Sequence, residues 1–169
     1  MKIIEGLKEI KRLEIKVNEL TEKIIVHCAD QSHEIPMYPD QKGIVAGWLQ
    51  SIHDTLKEAM RLRIQIQQTN MEVPVGIMLG GVQVSHTIAE WIIRRRLYAN
   101  SERKAWNSLS DRGLKEGKFK KSSGEILEVN IRRYYDPLER DRKVDIYNNE
   151  PGIIDRTLEV VNATTDLVD

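Results

Sequence analysis

The sequence predicts a mainly α-helical fold: a long antiparallel helical hairpin, coiled-coil-like, with two further helices and a small β-hairpin element. Three observations predict it. Apolar residues recur at heptad spacing over residues 1–70. Helix-start residues stand at Asp40, Ser85 and Asp136, each ahead of an apolar stripe. Charged residues make up 31% of the chain and aromatic residues 5%, the balance of solvated helices with narrow apolar faces. The 169 residues are the size of one domain, divided as a helical hairpin (1–70), a short β-hairpin (73–84), a helix (85–113), a second β-hairpin (115–135) and a closing helix (136–168).

In the first arm, residues 2–28, Ile3, Ile10, Val17 and Ile24 form one heptad row, and Leu13, Leu20 and His27 form the companion row. The loop from Cys28 to Lys42 holds Pro36 and Pro39, which do not fit a helix interior, and Asp40 then caps the second arm. That arm repeats the pattern with Val45, Ile52, Ala59 and Ile66 in one row and Leu49 and Leu56 in the other, before Arg63 and Asn70 turn the second row polar. Gly43 and Gly47 lower its helix propensity and leave room for another backbone to approach.

The apolar, partly β-branched run from Val73 to Val84 has Gly80-Gly81 at its centre, a pair that supplies the positive φ of a two-residue hairpin turn. Ser85 is placed as the N-cap of a third helix from His86 to Asp111, stopped at Gly113, with a buried stripe of Ile88, Trp91, Ile92, Trp106 and Leu109 interrupted by Arg94, Arg95 and Arg96. Next, Leu127, Val129 and Ile131 alternate with Glu128, Asn130 and Arg132, the period of a strand with one dry face, and Ser122-Ser123-Gly124 supplies its turn. Asp136-Pro137 opens the closing helix, whose stripe is Val144, Tyr147, Pro151, Ile154, Leu158 and Val161. Pro151 is expected to kink or divide it.

The formal net charge is zero, which argues against indiscriminate binding to nucleic acid or membrane. The single cysteine, Cys28, excludes an intramolecular disulfide framework and points to a reducing compartment. No signal-peptide core and no membrane-spanning apolar run is read, so a cytoplasmic protein is expected, or one assembled into a virion if phage-encoded.

No catalytic residue, cofactor or metal site is expected. His27, Cys28, Asp30 and His33 lie close together but lack the second ligand pair of a structural zinc site, so His27 is read as closing the seam and Cys28 as a small buried residue. Gly80-Gly81 lacks the flanking residues of a phosphate loop. Ser85 and His86 are sequence neighbours, which does not make a nucleophile and its base. Asp141 and Asp145 sit beside Arg140, Arg142 and Lys143, as on a solvated ion-paired face. Asn162-Ala163-Thr164 is a glycosylation sequon without meaning unless the chain is secreted.

Two stretches carry a resemblance to a family. The second arm ends in Arg63-Ile64-Gln65-Ile66-Gln67-Gln68-Thr69-Asn70, and the closing helix ends in Val161-Asn162-Ala163-Thr164-Thr165-Asp166-Leu167. With the order of hairpin, helix, strand and helix between them, the chain resembles the septicolysin-like family of small, mainly helical bacterial and phage proteins. The resemblance brings no catalytic residues with it, and the family name does not by itself assign an activity.

Charge asymmetry is the strongest functional signal. Arg94, Arg95, Arg96, Arg103, Lys104, Arg112, Lys115, Lys118, Lys120 and Lys121 outnumber Glu102, Asp111 and Glu116, whereas the chain from Asp136 onward is acidic. The basic region either docks on the acidic region of the same or a neighbouring chain, or binds phosphates with Tyr98, Trp106 and Phe119 as stacking surfaces. Docking is preferred, because no nucleic-acid motif appears. The sequence thus predicts a non-enzymatic structural or interaction protein acting through oligomeric assembly, with itself or other assembly proteins as partners. The alternative is a nucleic-acid-binding module using residues 94–121. The residues expected to act are Arg94, Arg95, Arg96, Arg103, Lys104, Lys118, Lys120 and Lys121.

Overall fold

The computed structural model describes residues 1–168. The fold is mainly helical, in the order α1 (Ile3–His27), α2 (Gln41–Glu72), β1 (Pro74–Leu79), β2 (Val82–Thr87), α3 (Ile88–Ile93), a π-helical turn (Arg94–Tyr98), α4 (Ala99–Asn107), β3 (Gly117–Lys120), β4 (Ile126–Val129) and α5 (Pro137–Thr164). These gather into two compact units. One comprises Met1–Pro74, Thr87–Ala89 and the chain from Leu158 onward; the other comprises Val75–His86 and Glu90–Thr157.

In the first unit α1 and α2 run antiparallel, because Gln41 Nε2 donates to the His27 carbonyl (2.9 Å) at one end and Arg63 pairs with Glu14 further along. The α1 face follows the heptad reading, with Ile3, Ile10, Leu13 and Leu20 buried. On α2 one expected row holds, through Ala59 and Ile66, and the Leu49–Leu56 row gives way to its neighbour through Thr55, Leu62 and Thr69. Thr55, Ala59, Leu62, Ile66 and Thr69 are buried, while Leu49 and Leu56 stand 55% and 52% exposed. The threonines tolerate burial because each hydroxyl donates one turn back, Thr55 to the Ser51 carbonyl (2.6 Å) and Thr69 to that of Gln65 (2.8 Å). Asp40 caps α2 as expected, its carboxylate accepting from the Gly43 amide at 2.9 Å. Gly43 therefore makes room for its own cap, and nothing lies within 4 Å of Gly47's Cβ position, so neither glycine admits another backbone.

The chain beyond α5 returns to the start of α1. Lys2 and Asp166 form an isolated antiparallel bridge, the Ile3 amide donates to the Thr165 carbonyl (3.0 Å), and the Leu167 amide to the Met1 carbonyl (2.8 Å). A Cβ on Gly6 would stand 3.2 Å from Leu167 Cδ1 and 3.3 Å from Ile66 Cδ1, so the absence of a side chain there lets all three segments close. The Val168 amide completes the clasp on Thr69 Oγ1 (3.0 Å).

The second unit is built on the β1–β2 hairpin. Val75, Ile77 and Leu79 alternate inward and are buried. Gly80 and Gly81 turn the chain at φ of 57° and 83°, the left-handed pair that the sequence predicts. Ser85 and His86 lie in β2, not at a helix start, and the helix begins only at Ile88. It ends at Asn107 rather than near Asp111, and Gly113 belongs to the loop beyond. Trp91 is fully buried, its indole N–H donating to the Val75 carbonyl at 2.8 Å, and Ala99 and Ile154 are equally buried. The strand pair β3–β4 is antiparallel, with Phe119 opposite Leu127 and Lys120 opposite Ile126. The face expected to be dry is dry in part: Leu127 and its partner Phe119 are 43% and 46% exposed, while Val129 and Ile131 are half-buried. α5 starts at Pro137, with Asp136 accepting from the Leu138 amide (2.9 Å), and Pro151 sits inside one continuous helix instead of dividing it.

Candidate functional site

The three-arginine run sits where the helix changes its winding. Over Arg94–Tyr98 the Ala99 amide bonds back five residues to the Arg94 carbonyl, a π turn that takes up one extra residue between α3 and α4. Arg94 there directs its guanidinium to Glu150 of α5, with Nε on Oε1 and Nη2 on Oε2 (3.2 Å). The Glu150 side chain is 1% exposed, so the arginine supplies the counter-charge without which that carboxylate could not be buried. The hydrogen bond to Glu150 raises the arginine's pKa above its usual value, against the opposing effect of burial. One residue on, Arg95 Nη2 meets Asp155 Oδ2 at 2.8 Å.

The expected site residues separate into two groups. Arg94, Arg95 and Arg103 are engaged within the unit, Arg103 through the side-chain oxygens of Asn148 (3.2 Å) and Asn100 (3.0 Å). Lys121 bonds Glu125 across the β3–β4 turn (3.0 Å). Arg96, Lys104, Lys118 and Lys120 are exposed and have no ion-pair partner among the described residues. Lys104 lines a cavity of about 350 Å³ with Asn107, Val144, Asp145 and Asn148. Lys118 and Lys120 stand on the ribbon, whose register places Lys118 opposite Glu128. Of the aromatic residues considered as stacking surfaces, Trp106 is covered by the Lys143 ammonium 5.7 Å from its ring centre, while Tyr98 and Phe119 are open.

A further ion-pair cluster secures the loop after α4. Asp111 accepts from Arg133 Nε (2.7 Å) and Nη2 (2.5 Å) and from the Tyr135 hydroxyl (3.1 Å). The Arg133 hydrogen bonds hold its carboxyl below the ordinary carboxylate range. Arg140 spans from the Leu109 carbonyl (3.0 Å) to the Tyr135 ring.

Each unit has a smaller site as well. His86, Glu90, Ile93, Arg94 and Tyr98 line a cavity of about 260 Å³, with the His86 ring edge-on to Trp91 at 4.8 Å. At the far end of the α1–α2 pair, the rings of His27, Tyr38 and Trp48 meet at 5.7 to 5.9 Å. Cys28 there is exposed, where the sequence reading had it buried. No group of three or more His, Cys, Asp or Glu side chains able to hold a metal ion occurs among the described residues. Nor is any described helix long and apolar enough to cross a membrane.

The fold has a solved counterpart. The crystal structure of a functionally unknown conserved protein from Corynebacterium diphtheriae superposes with a TM-score of 0.55 at 17% sequence identity, covering 99% of both chains. At that identity the likeness is one of fold alone. No protein-family model and no curated protein matches the chain.

The sequence reading missed the apolar end of the helix pair. Ile35 is 94% exposed and Met37 70%, and on the last turns of α1 Ile25 (70%) and Val26 (68%) are exposed too. The signal is two large apolar residues on either side of Pro36 in a loop, a place where polar residues are usual.

Proposed function

We propose that this chain is a non-enzymatic interaction protein that acts through assembly, with copies of itself or with other assembly proteins, in the cytoplasm or in a phage particle. The observation that carries the reading is the loop between α1 and α2. Large apolar side chains left in water two residues apart, as Ile35 and Met37 are, mark a candidate interaction surface, whereas single ones are ordinary. This loop is also tied down at its C-terminal end. The Tyr38 amide donates to Gln41 Oε1 (3.1 Å), Gln41 donates to the His27 carbonyl, and the His27, Tyr38 and Trp48 rings brace it from within. A pre-shaped apolar projection loses little entropy on docking.

On this reading the α1–α2 pair is a coiled-coil scaffold that carries the loop, and the likeness to septicolysin-like proteins is one of scaffold rather than of lytic activity. Light scattering on the full chain tests it. Mass should rise with protein concentration, and the exposed-loop variant Ile35→Asp/Met37→Asp should lower it with helicity unchanged. A wild-type chain that stays monomeric at every concentration would sink the assembly reading. The lysines of the β3–β4 ribbon favour a second reading, nucleic-acid binding, which requires gel-shift affinity that falls steeply with salt.

A further inference from the structure

The ribbon and the loop are opposites in charge and alike in exposure. Residues 28–40 contain Asp30, Glu34 and Asp40 and no lysine or arginine. Two of these carboxylates are fixed in place, Glu34 by the Gln31 amide (2.9 Å) and Asp40 by the Gly43 amide (2.9 Å). Between them project Ile35 and Met37. Residues 112–132 contain Arg112, Lys115, Lys118, Lys120, Lys121 and Arg132 against Glu116, Glu125 and Glu128. On one face of the ribbon Lys118 and Lys120 alternate along β3, and the 67% exposed Ile126 is paired directly with Lys120.

Neither surface is satisfied by itself. A two-stranded ribbon is marginal in water unless something covers a face, and β3 is exposed at every residue. The arginines that could have served an acidic partner elsewhere, Arg94 and Arg95, are already taken by Glu150 and Asp155.

We infer that the acidic, apolar loop of one copy docks on the basic ribbon of a second copy, with Ile35 and Met37 against Ile126 and with Lys118 and Lys120 facing Asp30 and Glu34. The inference rests on the assembly reading and names its contact. Because the two surfaces differ, the contact is heterologous: each docked pair keeps one free loop and one free ribbon, so growth continues past the dimer unless the array closes. Complementary charge sets the register and speeds the encounter, and the apolar pair supplies affinity. A nucleic acid on the ribbon would account for the lysines but would leave the loop uncovered.

The experiment mixes two blocked chains, both full length and both checked for helicity by circular dichroism. One carries Ile35→Asp and has an intact ribbon; the other carries Lys118→Glu and Lys120→Glu and has an intact loop. Each alone should need at least about tenfold more protein than wild type to associate, while an equimolar mixture should form a 1:1 pair and stop there. Addition of Asp30→Lys to the ribbon variant should restore growth of that chain alone. If both variants assemble as wild type does, the contact lies elsewhere, as on the exposed Leu49 and Leu56 face of α2, and the inference fails while the assembly reading stands. A monomeric wild type overturns both. Salt-sensitive nucleic-acid binding lost in the Lys118→Glu/Lys120→Glu chain, without any change of mass, assigns the ribbon to that ligand and overturns the inference.

Discussion

Asp111 shows how a single side chain ties its surroundings to pH. Its carboxylate takes both nitrogens of the Arg133 fork and the Tyr135 hydroxyl. The hydrogen bonds from Arg133 come first in lowering its pKa beneath the ordinary 3.8, against the opposing effect of desolvation. A carboxyl with a depressed folded-state value binds protons less readily folded than unfolded. Its stabilising contribution is therefore complete above its unfolded value and drains away as pH falls through the folded one. The expected outcome is an Asp111 carbon resonance that titrates below 3.8 in wild type and moves up in Arg133→Ala. A midpoint at or above 3.8 in the wild-type chain would contradict the pairing.

Among the elements, the docking of residues 90–107 on the second-unit part of α5 depends on Arg94 and Glu150. Arg94→Met strands a carboxylate whose side chain is 1% exposed, and the expected loss is about 3 kcal/mol in urea unfolding. Arg94→Met/Glu150→Met, which removes both charges together, should recover most of it; an additive double variant would show the two residues to be uncoupled. This junction was only half legible in the sequence. The basic run and the acidic helix stand out by composition, but a 3.6-residue period cannot announce a π turn, and nothing marks Glu150 among the other acids as the buried one. The Leu49–Leu56 row of α2 failed for a related reason, whereas Ala59 and Ile66 are buried as expected. Leu49 and Leu56 outrank Thr55 and Thr69 on any hydropathy scale, yet a hydroxyl bonded one turn back has little left for water and packs as a small apolar group. Helix starts at Asp40 and Pro137 and the Gly80-Gly81 turn were readable, because each depends on the chemistry of one or two residues. The apolar loop at 35–37 is not legible in this way, since periodicity is silent where there is no regular element.

At the scale of the whole molecule, the clasp fastens residues far apart in the chain. The exposed Lys2–Asp166 ion pair adds little, so Asp166→Asn should leave the urea unfolding midpoint where it is. The buried anchor does more. Thr69 is fully buried and its hydroxyl oxygen receives the Val168 amide, so Thr69→Val should cost about 1 kcal/mol and speed amide exchange at Val168 and Ile3. Unchanged exchange at both amides would show that the clasp holds without it. The two sides of the Lys2–Asp166 bridge are 164 positions apart. During synthesis the first strand-like residues must therefore wait, unpaired, until nearly everything between them and their partner has emerged. The α1–α2 pair can form early from local contacts, but its open end is sealed late.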